Sequence, residues 1–92
     1  MRQILLKEID LNEYEPHPLT CRYHLLVRFQ PPPINCESYG LGITIPQTGE
    51  HEEIRDITFT VGEIETLAAR VIEGRVTPCT LRDIVEDWLA AL

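Results

Sequence analysis

The chain lacks any apolar run long enough to cross a bilayer or to act as a secretion signal. Its most apolar opening stretch, Ile4-Leu5-Leu6, is bounded by Arg2 on one side and by Lys7-Glu8 on the other. A basic block is missing too. Eight Lys and Arg side chains are scattered among fifteen Asp and Glu, and the formal charge of −7 opposes the phosphate backbone of nucleic acids. Neither a membrane nor a nucleic acid is therefore the expected partner. Paired cysteines are absent as well: Cys21, Cys36 and Cys79 are odd in number and irregular in spacing, unlike the framework of a disulfide-stapled secreted domain. Reduced thiols in a cytoplasmic protein are the expectation.

Catalytic signatures are equally scarce. Gly40-Leu41-Gly42 sits inside an alternating strand pattern and runs on into more strand, so it is no phosphate loop. Ser38 and His51 lack the Gly-x-Ser-x-Gly setting of a hydrolase nucleophile. Cys21 and His24 stand three apart in a strand pattern and project to opposite faces, which argues against a shared metal ion; His17 and His51 fall in loops. No cofactor is predicted.

The clearest positive signal lies in the last third. Thr60-Val61-Gly62-Glu63 has the spacing of a capping box, with Phe59 and Ile64 placed as a hydrophobic staple. Ile64, Leu67, Ala68, Val71 and Ile72 then recur on one helical face, and Gly74 is expected to end the helix in the left-handed conformation, with Arg70 near the negative end of the dipole. A second helix starts at the Thr77 cap with Pro78 in the first turn, where its missing amide hydrogen costs nothing. Leu81, Ile84, Val85, Trp88, Leu89 and Leu92 form its apolar stripe, with Trp88 as anchor. A link as short as Gly74 to Val76 makes the two helices antiparallel neighbours.

The preceding residues alternate as strands. Cys21, Tyr23, Leu25, Val27 and Phe29 share one face within Thr20 to Gln30; Tyr39, Leu41, Ile43 and Ile45 share one face of a strand that ends at Pro46; Glu52 to Thr58 returns after a turn at Gln47 to Glu50. Gln30 to Asn35, with three consecutive prolines, is expected to be an extended connector. Gly40 and Gly42 on the outer face predict close approach by a neighbouring backbone. Gln3 to Leu11 is taken as a first strand, although Ile4 and Leu6 alternate out of step with Leu5, Ile9 and Leu11; Asn12 to Leu19, holding Pro16 and Pro18, is the loop that follows. Ninety-two residues make one domain with one modest core. The predicted fold is α+β: an antiparallel meander of three to four strands covered on one face by a C-terminal helical hairpin, in the order ββββαα.

Three groups of residues offer functional readings. Cys79, at the second position of a helix, is the candidate reactive thiol, because amide hydrogens and the macrodipole favour thiolate there. Asp83, Glu86 and Asp87 form an acidic helix face that Glu53 or Asp56 could extend toward a metal or an acid-base pair, although such runs are ordinarily solvated. Leu5, Ile9, Leu11 and Leu26 are expected on a sheet face the hairpin leaves open, and such patches mark contact surfaces.

Ser38-Tyr39-Gly40-Leu41-Gly42-Ile43, Arg55-Asp56-Ile57-Thr58 and Thr77 to Leu89 together resemble a family of small uncharacterised bacterial proteins. That family has a Tyr-Gly-hydrophobic strand, an Asp-Ile-Ser/Thr segment and a closing Leu-x-Asp-hydrophobic-Val-Glu-Asp-aromatic helix. The resemblance covers roughly residues 20 to 92 and implies a domain of unknown function, with no activity, substrate or cofactor to carry over. The expectation from the residues is a non-enzymatic interaction or regulatory protein, working through a protein partner or self-association, with a thiol- or metal-dependent enzyme or sensor at Cys79 as the competing reading.

Overall fold

A computed structural model of the chain describes residues 1–11 and 19–91. The expected loop over Asn12 to Pro18, the placement of His17, and Leu92 at the end of the helical stripe lie outside the described residues. The elements run β1 (Arg2–Asp10), β2 (Thr20–Gln30), β3 (Cys36–Ile45), β4 (Glu50–Thr58), α1 (Val61–Glu73) and α2 (Pro78–Ala90). The four strands form an antiparallel sheet in sequence order, which leaves β1 and β4 as its edges. No helix among the described residues is long and apolar enough to cross a membrane.

The alternation in β2 and β3 fixes which face is dry. Cys21, Tyr23, Leu41, Ile43 and Ile45 turn toward the helices and are almost wholly buried, with Ile64, Leu67 and Val71 of α1 and Leu81, Val85 and Trp88 of α2 closing the same cluster. Trp88 thus joins the core cluster that holds Tyr23 and Ile43, as expected. Leu89 does not: it stays 42% exposed, because the buried stripe of α2 steps from Leu81 to Val85 to Trp88 and leaves the next position on its flank.

Several local expectations are corrected. The prolines after β2 do not form an extended connector: Pro32, Pro33 and Ile34 turn the chain, the Asn35 amide donates to the Pro31 carbonyl at 3.2 Å, and β3 pairs directly with β2. The Thr60 hydroxyl makes no cap bond. The corner is held instead by Thr58, whose hydroxyl accepts the Thr60 amide at 3.1 Å and donates to the Glu63 carboxylate at 2.6 Å. Phe59, expected to staple Ile64, remains 55% exposed. Thr77 likewise caps α2 without a side-chain cap bond. Gly74 is right-handed at φ −78°, and the left-handed residue is Arg75 at φ 48°. The Arg75 amide donates to Ile72 and the Val76 amide to Val71, which makes this a Schellman ending with arginine where glycine is usual.

Gly40 meets the expectation of close approach. A β-carbon there would collide with the Ile54 carbonyl oxygen and stand 2.8 Å from the Arg55 Cα, because the β3 to β4 register slips at this point and Asp56 bulges at φ 54°.

Element lengths determine what the helices leave bare. Two helices of 13 residues are each about 20 Å long at 1.5 Å per residue, whereas the strands of 9 to 11 residues run about 30–36 Å at ~3.3 Å per residue. The helices pack chiefly on β3 and β4. One end of the sheet and most of β1 therefore project beyond the helical layer.

Candidate functional site

β1 is exposed along almost its whole length. Its pairing with β2 shifts by one residue between Leu5 and Lys7. That bulge resolves the phase conflict in the sequence. Before it, Ile4 opposes Leu25 and Leu5 opposes His24; after it, Lys7 opposes Tyr23 and Ile9 opposes Cys21, so Ile4 and Ile9 share the helix-bearing face. Leu6, at the bulge, borders a closed crevice against Ala68, Val71 and Ile72.

The four residues expected on an open face therefore separate. Leu5 alone is solvent-facing, at 51% exposure. Ile9 and Leu11 pack against the main core, because the extra residue at the bulge turns them inward. Leu26 is on the outer face as expected but only 2% exposed, which removes it from any contact surface. The reason is the pair of glycines beside it. Leu26 pairs with Gly40, and its Cδ2 comes within 3.8 Å of where a Gly42 β-carbon would stand. Across this trough, Gln3 of β1 donates to Glu53 of β4 at 3.3 Å, laying a polar strap over β2 and β3.

Ile4 and Leu6, at 42% and 39% exposure, join Leu5 as three consecutive apolar residues open to solvent, and Phe29 on β2 is 58% exposed. Sequence reasoning missed Ile4 and Leu6. Their signal was the apolar triplet flanked by charge, but a bulge cannot be read from alternation alone.

The outer face carries two polar clusters. Glu53 receives His51 Nε2 at 3.0 Å and Arg55 at 3.2 Å. Partial burial pushes its pKa up, but the hydrogen bonds and charges of Arg55 and His51 outweigh this and hold it below the usual carboxylate value. Burial also lowers the pKa of nearby His24, with Arg22 and His51 adding to the effect. Asp56 accepts from Ser38, from Arg28 in a two-pronged ion pair and from Gln30 at 3.2 Å. The Ser38 hydrogen bond is the main cause of its lowered pKa, opposed by burial and reinforced by Arg28 and Gln30. Ser38 is 1% exposed and fully committed to this cluster, not to His51.

Cys79 is exposed, as is Cys36, while Cys21 is buried. Cys79 shares an open groove with Glu50, His51, Glu52 and Pro78. Local spacing does not place His51 beside this thiol; the return of β4 does. Its two ring nitrogens are already engaged, however, Nδ1 with the Thr44 hydroxyl at 2.7 Å and Nε2 with Glu53, so neither is free to take a proton from the thiol. Asp83, Glu86 and Asp87 are all exposed on α2. Among the described residues no three His, Cys, Asp or Glu side chains converge as a metal site.

The profile of a family of unknown function (DUF6514) matches residues 2–91. The chain belongs to that family. The match takes in β1 and reaches well beyond the segments that carried the resemblance, so the exposed edge strand is part of the DUF6514 domain. No curated protein and no solved structure matches the chain.

Proposed function

We propose that this DUF6514 chain is a non-enzymatic interaction module that binds a protein partner along β1. One observation carries the reading: Ile4, Leu5 and Leu6 are exposed together on an edge strand whose outward amides and carbonyls have no neighbouring strand among the described residues. Natural sheets ordinarily shield such an edge with charge, bulges, prolines or a covering element; β1 has a bulge and charges on either side, but leaves the apolar triplet between Arg2 and Lys7 exposed. Exposed apolar side chains on both faces of such an edge supply the side-chain burial, and its main chain the hydrogen bonds, that strand addition uses.

The test is a photo-crosslinking amino acid placed at Leu5 in the native host, with the same group at Glu65, on the exposed side of α1, as control. Discrete protein adducts from position 5 and none from position 65 are expected. Absence of any adduct at position 5 would remove the reading.

A further inference from the structure

Resting on that reading of β1, we infer that the occupant of the edge is a second copy of this chain. Two β1 strands pair antiparallel about a two-fold axis at Leu5, and the two sheets continue as one.

Charge favours a second copy. The chain as a whole carries −7, yet within β1 Arg2 and Lys7 balance Glu8 and Asp10. The arrangement is also polar along the strand, with Arg2 at one end and the two carboxylates at the other. An antiparallel copy brings the Arg2 end of each strand beside the Glu8 to Asp10 end of its mate, where Arg2, already on Glu37 at 2.7 Å, and Glu8, on Arg22 at 3.5 Å, extend existing ion pairs across the seam. The other free edge is built against self-pairing: β4 carries Glu50, Glu52, Glu53 and Asp56 against Arg55 alone as a fixed cation, so two such edges repel.

Register allows it. Residues paired across strands share a face, and a two-fold axis perpendicular to the sheet preserves faces, so only same-face residues can meet. Gln3, Leu5 and Glu8 oppose Leu26, His24 and Arg22 on the outer face, whereas Ile4, Lys7 and Ile9 oppose Leu25, Tyr23 and Cys21 on the helix-bearing face. With the bulged pair Leu6-Lys7 counted as one step, a register centred on Leu5 satisfies this condition. Leu5 then meets Leu5, Ile4 meets the bulged pair, and Gln3 meets Glu8. The exposed triplet is the centre of the contact, and no like charges stand opposite.

The extent of the edge sets its strength. Nine residues give a contact about 30 Å long but only one strand wide, below the ~1,600 Å² of a standard stable interface. The dimer is therefore concentration-dependent.

Full-length chains carrying Leu5→Lys or Leu5→Glu provide the test, with circular dichroism confirming that each is folded. Wild type is expected to pass from one to two chain masses by sedimentation as concentration rises. Each variant alone places like charges on the axis and loses two leucine contacts, weakening self-association by on the order of a hundredfold. An equimolar mixture of the two restores a dimer, which only a residue that meets itself can do. Wild type that stays monomeric at its highest soluble concentration, variants that still dimerise alone, or a mixture that fails to associate would overturn the inference. Should either variant misfold, amide exchange in wild-type β1 decides: exchange that slows with concentration is expected, and exchange independent of concentration refutes self-pairing. A crosslink from Leu5 to some other protein refutes the second copy while leaving the interaction reading standing; no crosslink at all removes both.

Discussion

The Tyr23 hydroxyl donates to the Val76 carbonyl oxygen at 2.9 Å, joining the middle of the sheet to the link between the two helices. Tyr23 is 2% exposed, and burial, reinforced by neighbouring Cys21, pushes its pKa well up, so it is a neutral donor at any ordinary pH. The Cys21 thiol donates to the same oxygen at 3.8 Å, a long bond from a weak donor that does not match the hydroxyl. The bond ties the order of the helical hairpin to that of β2. Replacing Tyr23 by Phe keeps the ring and strands the carbonyl, at a cost of about 1–2 kcal/mol. A fall of several degrees in melting temperature, with the fold retained, is the expected result. An unchanged melting temperature would mean that the link is held by apolar contacts alone.

The ending of α1 offers a change in the opposite direction. Arg75 occupies the left-handed region that a side chain with a β-carbon enters at a cost of roughly 1 kcal/mol. Arg75→Gly relieves that cost, partly offset by the greater freedom glycine gains when unfolded. A net gain of about 0.5 kcal/mol is expected, read as a higher urea midpoint at unchanged slope. A lower midpoint would show that the arginine makes a contact that outweighs its backbone strain.

These two positions illustrate what a reader of the sequence alone can recover. Strand and helix periods place Tyr23, Ile43, Ile64, Leu81 and Trp88 in one core, because burial of one face is a property of many residues at once. The ending of α1 turned on a single backbone angle, and Gly74-Arg75 offered glycine one position too early. The Thr58 corner escaped notice for a similar reason: Thr58 and Thr60 both precede the helix, and only the path of β4 decides which hydroxyl reaches Glu63. The candidate surface was half legible. Leu5 is exposed as its pattern predicts, but the bulge that turns Ile9 inward and the glycine trough that buries Leu26 depend on cross-strand register, which local alternation does not encode.

The Asp56 cluster makes a prediction about acid. The Asp56 pKa is lowered in the folded chain, chiefly by the Ser38 hydrogen bond and further by Arg28 and Gln30 against the opposing effect of burial. A carboxyl whose folded pKa lies below its unfolded value contributes stability above that unfolded value, near pH 4, and loses it as pH falls through the folded one. Asp56→Asn preserves an acceptor for Ser38 and tolerates the left-handed bulge, but abolishes the titration and the ion pair with Arg28. Wild type should therefore be the more stable at pH 7, with the gap closing as the pH drops below about 4. Parallel stability curves for the two proteins across that range would rule out Asp56 as an acid-sensitive contact.

Thiol reactivity separates the interaction reading from a thiol-centred one. Cys21 is fully buried with its pKa raised, chiefly by that burial, and should resist iodoacetamide until the chain unfolds. Cys36 and Cys79 are both exposed and should be alkylated in the native protein. Cys79 has the helix start in its favour but no available base, since His51 is held by Thr44 and Glu53. Its rate at neutral pH is therefore expected to match that of Cys36 and of a free peptide thiol. Mass spectrometry of a timed alkylation series makes the comparison within one sample. Markedly faster modification of Cys79, lost in a His51→Ala variant, would require the imidazole to release Thr44 or Glu53 and turn to the thiol across the groove they share, and would move the proposed functional centre of this domain from β1 to the start of α2.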